Sequence, residues 1–210
     1  GSHRRRNKAR KCGEISAAND VEVALTHVLA SLQSICPPPN HPTLAMTDIT
    51  AIVLTHNESK HLRRCLLALN QVVSRVCVVD SHSNDDTEQI ARELGADFYQ
   101  NAWKNYATQF TWGLQNCQID TTWVMRIDAD EYPEPKLIES IKAFVVSPGQ
   151  CNAAYFKRKI VFLGQPITHG FFYPSLMLRL WRNGEGSIEQ RWMDEHIVVC
   201  LLYTSDAADE

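Results

Sequence analysis

The stretch WVMRIDADEY, Trp123 to Tyr132, decides how the chain is read. Its first half is apolar and reads as a buried strand; its second half places three carboxylates, Asp128, Asp130 and Glu131, directly after that strand. Two like charges about 4 Å apart repel by about 1 kcal/mol in water and by several at the lower effective dielectric near a protein surface. A divalent cation reverses the sign. A hard ion such as Mg²⁺ or Mn²⁺ takes one or two carboxylates and completes its shell with water and phosphate oxygens, so the cluster suits a metal that holds a phosphorylated ligand. The alternative is an acidic turn in which Asp130 caps a helix beginning near Pro135. Position favours the ligand reading, because open α/β sheets bind ligands beyond the carboxyl ends of their strands.

Working back from this point, Asp48 to Glu58 (DITAIVLTHNE) is a β-branched apolar run that breaks at Thr55, a buried first strand. Leu62, Cys65, Leu66 and Leu69 follow at helical spacing. Val76 to Val79 is a second strand, stopped by DSHSNDDT (Asp80 to Thr87), which supplies turn formers and a cap for a helix carrying Ile90, Ala91 and Leu94. Gly95 ends that helix, Ala96 to Tyr99 is a third strand, and Tyr106 to Leu114 a helix. Alternation of this kind predicts a mostly parallel sheet whose strand ends converge on one crevice. Thr55 to Glu58, Asp80 to Asp85 and Asp128 to Glu131 are expected to share it. Beyond the cluster come a helix through Leu137, Ile138, Ile141 and Phe144, a strand over Ala153 to Leu163 with a basic run Lys157 to Lys159, and an alternating strand over Leu176 to Arg182 before a turn at Asn183 and Gly184.

The whole chain sets limits. Its 210 residues, 44% hydrophobic, suit one domain with tails, and a net charge of −3 gives no basic field for nucleic acid. Seven cysteines, none in a C-x-x-C pair, point to reduced thiols rather than a zinc site or a disulfide framework. No stretch reaches the length of about 20 apolar residues needed to span a bilayer. Residues 1–45 open on a basic run and end in a proline cluster, and read as a non-native or disordered leader before Met46. Residues 200–210 (CLLYTSDAADE) read as an adaptor-derived tail, so that a catalytic domain of residues 46–199 is expected to be truncated at its C-terminus.

THNE, VVDSHSNDDT and IDADE together resemble the segments of family 2 glycosyltransferases of the GT-A fold, over roughly Ile49 to Val199. Within that group the chain is similar to bacterial enzymes of lipopolysaccharide-core and surface-glycan synthesis. The resemblance implies a Rossmann-like, mostly parallel sheet flanked by helices with a mixed acceptor-side half. It further implies a nucleotide-diphospho-sugar donor, a glycan or lipid-linked acceptor, a divalent cofactor (Mg²⁺ or Mn²⁺) and a cytoplasmic location with peripheral contact at the inner membrane face. Thr55, Asn57 and Glu58 would line the nucleotide, Asp85 would support the turn and the ribose side of the nucleotide pocket, and Asp80 would accept a hydrogen bond from the base unless it only closes its own turn. Ser81 and His82 depart from the acidic residue and glycine usual in the family. Asp128 would contact the ribose or a metal-bound water, and Asp130 would bind the metal, with His196 a further candidate ligand. In EQRWMDEH, Glu189 to His196, Glu195 or Asp194 would be the base that takes the acceptor proton in an inverting transfer, strand register deciding between them. Gln190, Arg191 and Trp192 approach the Q-x-x-R-W signature of processive synthases, but with the wrong spacing. Rival readings are a phosphatase of the haloacid-dehalogenase type with Asp128 as nucleophile, and a non-catalytic sugar-nucleotide-binding module.

Overall fold

The computed structural model describes residues 14–15, 47–149, 151–159, 161–162, 165–166, 175–189 and 196–199. Strands β1 (Glu14–Ile15), β2 (Ile49–Thr55), β3 (Arg75–Asp80), β4 (Asp97–Gln100), β5 (Trp123–Asp128), β6 (Ala153–Arg158) and β9 (Ser175–Arg182) form one sheet in the order β1-β6-β9-β5-β2-β3-β4. Short ribbons pair β7 (Val161–Phe162) with β8 (Gln165–Pro166), and β10 (Gly186–Ile188) with β11 (Ile197–Val199). The helices are α1 (Ser59–Leu69), α2 (Thr87–Glu93), α3 (Tyr106–Asn116) and α4 (Pro135–Val146). In the large sheet β9 runs antiparallel to both its neighbours, β5 and β6, while β2 pairs in parallel with β3 and β5, and β3 with β4. This is the mostly parallel α/β sheet with a mixed half that the sequence predicts.

Alternation along β2 assigns the two faces, because successive side chains of a strand point to opposite sides. Ile49, Ala51 and Val53 join the core under α1, α2 and α4, with Leu62, Leu66, Ile90, Leu137 and Ile141. Ile52 and Leu54 face the other way, into a core built by Phe110 of α3, Trp181 and Ile188. All seven residues of β2 are buried, as expected of a central strand covered on both faces. Gly113 lets α3 lie close on the sheet: a Cβ there would stand 3.2 Å from methyl groups of both Ile52 and Val79. On the same face Trp181 meets Phe110 edge to face, centroids 5.9 Å apart.

Two expectations are corrected. The strand predicted over Ala153 to Leu163 ends at Arg158 in the large sheet, and Val161–Phe162 belongs to a separate ribbon. Cys65, Cys77 and Cys117 are buried free thiols as anticipated, but Cys151 is disulfide-bonded. Apart from Glu14–Ile15, which pairs in parallel with Tyr155–Phe156, the expected leader and tail lie outside the described residues.

Candidate active site

The order β5-β2-β3 makes β2 the point from which connections leave in opposite directions, and such a switch point opens a crevice at the carboxyl ends. A cavity of about 1310 Å³ lies there, lined on one side by Thr55, His56 and Glu58 and on another by the run Arg126 to Glu134. Lys157, Arg158 and Lys159 of the mixed half line it too, and Lys159 Nζ stands 2.9 Å from Glu134 Oε1. Trp103 and Tyr106, each about half exposed and packed edge to face at 4.8 Å, line it as well.

Inside the cavity the carboxylates differ in state. Asp130 is exposed, and its backbone carbonyl accepts from Arg64 Nη2 at 3.2 Å. It does not cap the following helix, whose N-cap is Glu134 with no side-chain bond. Asp128 is held from β9: Arg179 Nη2 donates to Asp128 Oδ2 at 3.1 Å and to Glu131 Oε1 at 2.8 Å. Arg126 Nε stands 3.7 Å from Asp128 Oδ1. Glu131 Oε2 accepts from the Asp128 amide at 3.3 Å, while the Glu131 amide donates to the Asp128 carbonyl, so the turn after β5 folds back on itself. Burial raises the pKa of Glu131, with Asp128 and Asp130 adding to the rise and Arg179 opposing it. Behind the cluster the Cys65 thiol is pushed up by burial first and then by Glu131, Asp128 and Asp130. The Arg179 contact is not visible in sequence, since β9 is placed beside β5 only by the fold.

Of the three strand ends expected to share the crevice, those of β2 and β5 line the cavity, and that of β3 stands behind Thr55, which donates to Asp80. None of residues 80–86 lines the cavity, nor does Asn57. Asp80 is fully buried and accepts from Thr55 Oγ1 at 3.0 Å, from the Ser83 amide at 2.8 Å, from the Ser83 hydroxyl, and from Gln100 Nε2 at 3.4 Å. It therefore closes its own turn. Asn57 and His82 both take left-handed backbone, φ 54° and 57°, which folds the two loops onto each other. The Asn57 amide donates to Ser83 Oγ at 2.7 Å, and Asn57 Oδ1 accepts from the Asn84 amide at 3.0 Å. Asp85 accepts from the amides of Ser59 at 3.0 Å and Thr87 at 3.1 Å, the first residues of α1 and α2. Burial alone would raise its pKa, but the bonds from Thr87 and Ser59 outweigh it and hold it at about 2. Fully buried Gln109 ties the loops after β3 and β4 together, donating to Ser81 Oγ and to the Asn101 carbonyl, both at 3.1 Å.

His196 is not brought to the acidic cluster: it is exposed, does not line the cavity, and its Nδ1 lies 3.9 Å from Glu189 Oε2. Among the described residues no three His, Cys, Asp or Glu side chains gather into a metal-binding set. What remains for a hard cation is the exposed Asp130 carboxylate beside Asp128, whose Oδ1 is buried with no hydrogen-bond partner among the described residues. One or two oxygen donors of this kind fit Mg²⁺ or Mn²⁺ when phosphate and water complete the shell. Asp194 and Glu195, together with Gln190, Arg191 and Trp192, lie outside the described residues.

Sheet order and cavity define an α/β protein with a large cavity at the switch point of a mostly parallel sheet. The model of glycosyl transferase family 2 matches residues 50–200, and the chain belongs to that family. An uncharacterized glycosyltransferase of Rickettsia felis is 32% identical over 118 residues, covering 56% of this chain and 41% of that protein. The 4,4'-diaponeurosporenoate glycosyltransferase of Staphylococcus haemolyticus is 42% identical over 80 residues, 37% of this chain and 21% of that one. Among solved structures, residues 1–349 of S. aureus TarS are 18% identical with a TM-score of 0.43, covering 66% of this chain and 47% of that one. The chain spans 41% to 47% of the length of several of the curated relatives it matches.

Proposed function

We propose that the chain carries the donor side of an inverting, metal-dependent glycosyltransferase. It would move a sugar from a nucleotide-diphospho-sugar to a hydroxyl of a glycan or lipid-linked acceptor of the lipopolysaccharide type. The observation that carries this reading is the cavity at the carboxyl ends of β2 and β5, with Asp128, Asp130 and Glu131 on one wall and Thr55 and Glu58 on another. Asp130 would hold Mg²⁺ or Mn²⁺, with Asp128 beside it. The ion, when bound, supplies Lewis-acid stabilisation of the leaving diphosphate.

The protein's own residues divide the remaining work. Thr55, Glu58 and Asp128 line the cavity and are assigned to the nucleotide; Asn57, Asp80 and Asp85 act on it through the loops they hold. Lys157, Arg158 and Lys159 line the same cavity and are assigned to the acceptor side. Asp194 or Glu195 takes the proton of the acceptor hydroxyl as it attacks the anomeric carbon opposite the leaving group, which inverts the configuration. No helix among the described residues is long and apolar enough to cross a membrane; peripheral contact at the inner membrane face is proposed from the acceptor class alone.

The test is calorimetric binding of a panel of nucleoside diphosphates to the full chain, with and without Mn²⁺, repeated with Asp130→Asn. Binding of one nucleotide that needs both Mn²⁺ and Asp130 is expected, followed by metal-dependent hydrolysis or transfer from the matching sugar nucleotide. Binding that ignores the metal and the substitution would sink the donor-site reading. Binding without turnover would favour a sugar-nucleotide-binding module.

A further inference from the structure

Arg179 stands apart from the other basic residues of the cavity. Its side chain is only 4% exposed, although it lines the cavity wall. Nη2 is shared between Asp128 and Glu131, while Nη1 is buried with no hydrogen-bond partner among the described residues, as is Asp128 Oδ1. A guanidinium presents five donors in a fixed fork, and a buried donor left unsatisfied is costly. Such a group, on the wall of a cavity that holds anionic side chains, has donor capacity in reserve for another acceptor.

We propose that Arg179 is the built-in counter-ion of the acidic cluster and makes the binding of the cation and of the diphosphate depend on each other. This rests on the donor-site reading above. Asp128 and Glu131 are faced by Arg126 and Arg179, so a cation arriving alone at Asp130 meets neighbouring carboxylates whose charge is already largely offset. A diphosphate supplies both an acceptor for the unused Arg179 nitrogen and the negative charge that draws the cation in. Each ligand then favours the other, and the linkage is reciprocal. Arg179 acts twice in this scheme: on the diphosphate through Nη1, and on the cation through Asp128 and Glu131, which Nη2 holds.

The experiment is calorimetric titration of the full chain with Mn²⁺ alone, and with Mn²⁺ in the presence of whichever nucleoside diphosphate it binds. Wild type is compared with Arg179→Met and Arg179→Gln, each checked for folding by circular dichroism. In wild type the diphosphate is expected to tighten Mn²⁺ binding about tenfold or more, within the usual range of coupling between sites. In a folded neutral variant, Mn²⁺ alone should bind about tenfold tighter than to wild type, and the coupling should largely disappear. A folded variant with unchanged Mn²⁺ affinity and intact coupling overturns the proposal. If neither variant folds, the wild-type coupling decides: about tenfold or above supports the proposal, and anything less overturns it. A chain that binds no diphosphate refutes the donor-site reading instead, and the effect of the neutral variants on Mn²⁺ alone still decides the role of Arg179.

Discussion

Asp85→Ala tests what holds the first two loops. In the native chain one carboxylate serves two helices, accepting from the first amide of α1 at 3.0 Å and of α2 at 3.1 Å, while Glu58 and Asp86 at the N-cap positions make no side-chain cap bond. An N-cap bond contributes about 1 kcal/mol, so losing two costs about 2 kcal/mol. With a urea dependence of about 2 kcal/mol/M, the denaturation midpoint should fall by about 1 M. Asp85→Asn keeps one carbonyl oxygen and should lose about half as much. The acid side gives an independent check. The folded pKa of about 2 lies below the ordinary 3.8, so the contribution is fully present above the unfolded value and is lost as pH falls from there through about 2. The gap between wild type and Asp85→Ala should therefore close over that window. An unchanged midpoint at neutral pH would refute the capping role. A folded, fully stable Asp85→Ala that no longer binds nucleotide would return Asp85 to the ligand.

Three further outcomes follow from the packing and the buried charges. Arg179→Met should cost about 3 kcal/mol or more at neutral to alkaline pH, because it strands two carboxylates; the loss should shrink on acidification in urea denaturation, since Glu131, with its raised pKa, favours folding when protonated. Gly186→Ala would bring a Cβ within 2.3 Å of the buried Trp181 ring and should lower stability by about 1–3 kcal/mol, read by thermal unfolding with Trp fluorescence. Cys65 should resist alkylation in the native chain at mildly alkaline pH and react on denaturation, as mass spectrometry of the labelled peptides would show, because burial and three neighbouring carboxylates disfavour its thiolate.

Much of the fold is legible from periodicity and punctuation. The β-branched run before Thr55, the apolar stretch ending in Asp128, and the stripe Leu62, Cys65, Leu66 and Leu69 each report a local requirement for burial, and they appear as β2, β5 and α1. Gly95, at φ 76°, ends the second helix segment as its position suggests. The wall carrying Asp128, Asp130 and Glu131 was equally readable, because a strand end fixes where its next residues emerge. The distribution of loop side chains was not. Asp80 and Asp85 sit in a polar turn that reads equally well as a ligand loop, and only the proximity of Ser83, Thr87 and the start of α1 decides that their oxygens are already engaged.

The elements up to the helix after the acidic cluster, their alternation and the acidic strand end were set by neighbours a few residues away and could be read from the chain. Tertiary structure alone decided that β9 lies beside β5, that Arg179 reaches two carboxylates about fifty positions earlier, and that Lys157, Arg158 and Lys159 line the same cavity as these carboxylates. Strand order is set by how two faces bury their apolar residues together, and that collective property leaves no mark at any single position.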